Sequence, residues 1–352
     1  VGRVRGLSLV AATFALAGAC APRTLALREA APATRWVLAC AGRSQANRVA
    51  YTVDDFVRLL AVVDANGRPA ARLATGVLFL HLYEASGRTF TTWIGGRFAD
   101  GADEEVYLDS LLGPGGVDRL VAAATRVAAD LGSRGPLPVA LMIPYPEPRV
   151  GTLRLAGETF DLTSDPGRVA AAARFVDVAA QRFRARGTGP LRLDAFYWLL
   201  ESAPASDTAV IAATSRPVHA AGYRFLWIPY YTAERWDRWR ELGFDEAWLQ
   251  PNHCFDPSVP DTRLDSAAAR ALAAGMGLEL EFDRRMYRDS CYAGRPAPYL
   301  ETLGARAELR GRSVVLYEED GALVDLSRRA YADDSVAAAR RRLHARLAEV
   351  LR

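Results

Sequence analysis

Apolar runs of strand length alternate along this chain with stretches whose apolar positions recur at helical spacing. Eight runs read as strands: RWVLACAG (35–42), GVLFLHLY (76–83), PVALMIPYP (138–146), LRLDAFYWLL (191–200), YRFLWIPYY (223–231), DEAWLQPN (245–252), GLELEF (277–282) and SVVLYEE (313–319). Helical patterns cover 54–64, 104–132, 165–186, 206–220, 232–242, 265–275 and 298–309, and a last amphipathic stretch runs from Ser335 to Leu351. Asp54, Ser206 and Thr232 or Thr262 stand where N-caps are wanted. Gly222, Gly243 and Gly275 stand where a helix must give way to a strand. Eight β–α units with near-continuous apolar strands predict an α/β fold, a parallel sheet closed as a (β/α)8 TIM-type barrel occupying 36–352 as a single domain. The alternative is an open doubly wound sheet. Its Gly-rich phosphate turn is missing, because the first strand is followed by AGRSQANR (41–48). Segments 84–103, with Trp93 and Phe98, and 147–164 read as loop extensions over one end of the barrel.

One strand departs from the apolar pattern. In GMGLELEFD (275–283), Leu278, Leu280 and Phe282 alternate with Glu279, Glu281 and Asp283, giving one apolar and one acidic face. An acidic face inside a barrel is unfavourable unless it lines a solvated cleft. Barrel sites lie at the C-terminal ends of the strands. Those ends carry His81, Tyr145, Trp198, Glu201, Trp227, Tyr230, Tyr231, Gln250, Asn252, Glu279, Glu281, Asp283 and Tyr317. Rings that stack on sugar C–H faces, with acids and amides that take hydroxyls, point to carbohydrate. Glu201 is expected to be the general acid/base, its pKa raised by Tyr197 and other rings. Glu281, nearer the rim, is expected to be its nucleophilic or basic partner, with Glu279 below it binding a hydroxyl or orienting its neighbour; the alternative exchanges the two, so both are catalytic candidates. The substrate-binding set is Trp198, Trp227, Tyr230, Tyr231, Gln250, Asn252, Tyr145, His81 and Asp283. The competing expectation is structural: Arg192, Arg224 or Arg284 would neutralise the acids, and His81 would be a satisfied barrel histidine. Trp236 and Trp239, three residues apart, read as helix-packing residues.

Composition narrows the chemistry. Half of the 352 residues are hydrophobic and the formal charge is +3, which suits a globular protein and gives no basic footprint for nucleic acid. All 44 basic residues are Arg, so lysine Schiff bases and a Walker-type lysine are excluded. Four histidines without a metal spacing point to no dedicated metal site, and no cofactor is called for. Residues 1–20 read as a signal peptide: Arg3 and Arg5, an apolar run from Leu7 to Ala19, then Ala17-Gly18-Ala19 before Cys20. Cys20 invites lipidation and membrane attachment, although Leu16 lies one position too early for the usual lipoprotein pattern. The expected location is therefore extracellular or anchored at the cell surface. Cys254 and Cys291, in loops after consecutive strands, permit a disulfide in an exported chain. Cys40 reads as an inert core residue.

In FYWLLES, FLWIPYY, GFDEAWLQPNHCF and GMGLELEFD the chain resembles a bacterial family described as domain of unknown function 4855, from about Trp36 to Asp325. The resemblance implies exported proteins and a barrel like that of glycoside hydrolases. It maps onto Glu201, the Trp227–Pro229–Tyr230 strand, the Gln250–Pro251–Asn252 turn and the Glu279–Glu281 strand. His253 stands where an aromatic ring is expected. The function expected is an exported glycoside hydrolase acting on a poly- or oligosaccharide with paired glutamates. The rivals are a non-catalytic carbohydrate-binding surface lipoprotein, and a hydrolase or lyase using a metal held by Glu279, Glu281 and Asp283.

Overall fold

The computed structural model describes residues 33–40, 51–84, 86–92, 96–113 and 116–351. The signal segment, Cys20, Trp93 and the 41–48 turn lie outside the described residues. All eight expected strands form: β1 (Arg35–Cys40), β2 (Gly76–Leu80), β3 (Leu137–Ile143), β4 (Leu191–Trp198), β5 (Arg224–Trp227), β6 (Glu246–Leu249), β7 (Gly277–Phe282) and β8 (Val314–Glu318). They pair in parallel in chain order, and β8 returns to β1, closing the (β/α)8 barrel. Every residue of β2 and of β7 is buried, as expected of strands covered by helices outside and side chains inside. The register sets Glu279 beside Val315 and Glu281 beside Tyr317. Both glutamates therefore face inward, while Leu280 and Phe282 pack fully buried among the outer apolar residues.

The outer layer comprises α1 (Val53–Leu60), α2 (Gly101–Leu112), α3 (Val117–Leu131), α4 (Asp165–Arg186), α5 (Thr208–Ala220), α6 (Thr262–Ala273), α7 (Pro296–Ala305), α8 (Ala322–Arg329) and α9 (Ala337–Val350). Side-chain caps begin three of them, α1, α2 and α4. Thr52 and Asp55 form a capping box on α1, so the cap is Thr52 and not Asp54. Ser164 caps α4, which ends at Gly187 in the left-handed conformation. Asp207 and Asp261 occupy the cap positions of α5 and α6, one residue from the expected Ser206 and Thr262.

Three expectations are corrected. The pattern over 54–64 stops at Leu60, where Ala61–Val63 turns into a hairpin with Pro69–Arg72. The 104–132 pattern is two helices, broken at Gly113 and Gly116. The 232–242 segment is a series of turns with one 3-10 turn at Trp236–Arg238. Arg235 sits there at φ 55°, in a left-handed conformation that interrupts any helix. The 147–164 loop contains a second hairpin, Thr152–Leu155 with Glu158–Asp161, packed on α2 and α4.

Candidate active site

A cavity of about 910 Å³ opens at the C-terminal ends of the strands. Its floor is a ring of inward residues: Leu38 of β1, Leu80 of β2, Tyr197 of β4, Glu279 of β7 and Tyr317 of β8, joined by Ile228 and Gln250 just beyond β5 and β6. Tyr145, Glu201, Tyr230, Tyr231, Asn252, Phe255 and Arg263 form part of the wall. Strand alternation explains this selection. Tyr197 points into the barrel, so its neighbour Trp198 points outward, where it packs against Phe225 at 6.1 Å.

Glu201 lies three residues beyond β4, partly exposed to the cavity, with its carbonyl receiving the Tyr230 N–H at 3.2 Å. Burial pushes its carboxyl up to about 8; a hydrogen bond from the Gln250 side chain opposes the shift and the nearby Glu281 charge adds to it. Glu279 is 2% exposed and lines the same cavity. Burial, then repulsion from Glu281 and Glu201, holds its carboxyl well above the ordinary range. Among the described residues, no donor hydrogen-bonds it. Tyr197 and Tyr317 share this floor, and their hydroxyls are held protonated by burial and by the field of the two glutamates.

Glu281 differs from both, which corrects its expected role as nucleophile or base. It is fully buried and does not line the cavity. Its carboxyl accepts the backbone N–H groups of Asn252 (2.7 Å), His253 (2.9 Å) and Cys254 (3.0 Å), and the Tyr299 hydroxyl. Burial raises its pKa against these four donors. With its lone pairs taken up, it clamps the loop after β6 and is not presented to a substrate. Through that loop it acts on the cavity. Asn252, held at φ 50°, accepts the Tyr231 N–H at 2.7 Å and donates to Gln250 Oε1 at 3.1 Å, while Gln250 also donates to the Ile228 carbonyl at 2.9 Å.

The remaining expected residues divide cleanly. Tyr145, Tyr230, Tyr231, Gln250 and Asn252 line the cavity. Trp198 and Trp227 are fully buried core, Trp227 bonded to the Leu200 carbonyl and stacked on Phe244. His81 is buried against Phe90 and Tyr107, with Nε2 at 2.9 Å from Glu84. Asp283 is turned toward Arg285 and caps the turn that follows β7. Glu279, Glu281 and Asp283 therefore do not converge as a metal-binding set. The arginines expected to neutralise them pair elsewhere: Arg192 and Arg224 with Asp194, and Arg284 with Asp325. Cys254 and Cys291 are free thiols, the first buried and the second exposed.

Four participants were not singled out by sequence. Arg168 and Asp207, both buried, form an ion pair at 2.9 Å, and Asp207 accepts the Tyr145 hydroxyl at 2.7 Å. Tyr299 and Arg263 complete the group, from α7 and α6. Each lies on or beside a helix, so strand-end reasoning could not reach them. The i,i+3 spacing of Asp165 and Arg168 was the one local signal.

The sequence model of the family described as "Domain of unknown function (DUF4855)" matches residues 36–340. Comparison with curated protein sequences gives no match. Among solved structures, a family 18 chitinase from Crocus vernus aligns with a TM-score of 0.42 at 14% identity, covering 81% of this chain and 93% of that one. A family GH18 chitinase catalytic domain from the fern Peteris ryukyuensis gives 0.48 at 11% identity, covering 90% and 99%. A mutant tryptophan synthase alpha-subunit from Pyrococcus furiosus gives 0.40 at 11% identity, covering 91% and 99%. These barrels serve unrelated chemistries, so the likeness carries nothing about the reaction.

Proposed function

For a chain that belongs to the DUF4855 family, whose description assigns no reaction, we propose from the cavity itself that the protein hydrolyses glycosidic bonds. One observation carries this reading. Two carboxyls, Glu201 and Glu279, line one cavity under conditions that favour their protonated forms, among tyrosine rings and amide groups. Glycoside hydrolysis needs one carboxyl that keeps its proton and a second that opposes it. Glu201, with a pKa of about 8, is protonated at neutral pH and close enough to neutrality to release its proton. It donates to the departing glycosidic oxygen. Glu279 acts once its own proton has passed to water in the cavity: the carboxylate then either bonds to the sugar carbon as the glycosidic bond breaks, to be displaced by water afterwards, or takes the proton of the water that attacks that carbon. Tyr230 offers a ring face, and Asn252 takes sugar hydroxyls. The basic and apolar N-terminal segment supports export as part of the same proposal.

The test is release of reducing ends from a panel of polysaccharides. Wild type should cleave at least one, and Glu201→Gln and Glu279→Gln should each lose roughly 10²–10⁴-fold in kcat/KM while still binding it. A wild type that binds glycan without cleaving it would leave only the carbohydrate-binding reading.

A further inference from the structure

One cation stands out on the cavity wall. Arg263 is the only basic residue among the described residues that line it. It occupies the second position of α6, where a positive charge works against the helix macrodipole. Among the described residues, no carboxylate lies within ion-pairing distance of it. Its guanidinium is nevertheless fixed. It lies over the Tyr231 ring, 4.1 Å from the centroid, and donates one N–H to the Pro251 carbonyl at 3.3 Å. Arg270 also lies over the Tyr231 ring, 4.3 Å from its centroid. A guanidinium carries five N–H donors, so most of those on Arg263 remain for a ligand.

Five acids line the cavity, and four of them do not cancel this charge; the fifth, Glu319, lies just beyond β8, where Arg285 feels its charge. Asp207 is matched by Arg168 at 2.9 Å and Glu234 by Arg235 at 3.3 Å. Glu201 and Glu279 favour their neutral forms. The site can therefore admit an anion that a row of ionised carboxylates would repel.

From this geometry we infer that the substrate is an acidic glycan, and that Arg263 grips a carboxylate or sulfate substituent on a sugar next to the bond that is cut. The inference rests on the reading of the cavity as a sugar site. Arg suits the task, because its planar fork meets carboxylate and sulfate oxygens two at a time. The flat Tyr231 face beneath it limits the fork to a few orientations and favours selectivity over general attraction.

The experiment is calorimetric titration of the full protein with uronic-acid oligosaccharides, their carboxyl-reduced counterparts, and sulfated oligosaccharides with and without prior desulfation. One acidic form should bind roughly 10–100-fold more tightly than its neutralised counterpart, the range expected for a charged hydrogen bond. The preference should weaken with added salt and vanish in Arg263→Gln, with Arg263→Lys intermediate. The pair that shows the preference identifies the anion as carboxylate or sulfate. The comparison of natural and neutralised ligands needs no variant, so it stands even where Arg263→Gln misfolds. Equal affinity for acidic and neutral forms, no binding of either, or a preference that survives in Arg263→Gln overturns the inference. Tight binding of an acidic glycan that is never cleaved would instead leave Arg263 assigned and defeat the hydrolase reading.

Discussion

Glu279 and Glu281 stand two residues apart on one strand face and do opposite things. The difference lies in what surrounds each carboxyl. Four donors converge on Glu281, and none among the described residues reaches Glu279. Truncating Glu281→Ala should therefore lower stability by roughly 2–5 kcal/mol, because three backbone N–H groups would be left buried and unpaired. Chemical denaturation measures the loss, and a higher KM should accompany it as Asn252 and Gln250 shift. Glu201 makes the reverse prediction. Its pKa is higher folded, about 8, than in an unfolded chain, near the ordinary 4.5. Its contribution to stability is thus fully present below about pH 4.5 and declines as pH rises to about 8. Glu201→Gln removes that decline, so its melting temperature should exceed wild type by roughly 2–5 °C at pH 8 and match it near pH 4.5. The same ionisation sets the activity profile. If Glu201 must be protonated to act, kcat/KM should fall about tenfold per pH unit above pH 8.

At the scale of elements, the loop after β6 is the part that assembles the site. It is pinned below by Glu281 and reaches Tyr231 and Gln250 through Asn252. The turn region before β6 shows why the sequence misled. Trp236 and Trp239 have helical spacing, yet each is placed by a tertiary contact. The Trp239 indole N–H meets the Ala274 carbonyl at 3.0 Å, and Trp236 lies under Arg270 at 4.1 Å. A periodic pair cannot distinguish such anchoring from a helix face. The glycine that ends this region was legible. Gly243 has φ 86°, and a Cβ there would meet Ser215 Oγ at 2.4 Å. Gly243→Ala should therefore destabilise by about 1–3 kcal/mol, measured as a lower denaturation midpoint with an unchanged slope.

For the whole molecule, strand periodicity was enough to give the barrel, because a covered parallel sheet forces continuous apolar runs that few other structures produce. The same periodicity located the cavity rim and brought Glu201, Glu279 and Gln250 to one place. It could not separate inward from outward aromatics where strands end. Trp198 and Trp227 consequently passed for cavity residues, while Tyr197 and Tyr317 form the floor. Nor could it foresee which glutamate a neighbouring loop would occupy, since that depends on backbone amides that any sequence supplies. The proposed chemistry requires that the barrel mouth hold a protonated carboxyl group at neutral pH. Titration of ¹³C-labelled glutamate side chains by NMR, in wild type and in Glu201→Gln, tests this directly. One carboxyl resonance should titrate near pH 8 in wild type and be absent from the variant. If the Glu201 signal instead titrates near the ordinary value of 4.5, the cavity holds an ionised carboxylate at neutral pH and the proton donor proposed for it does not exist.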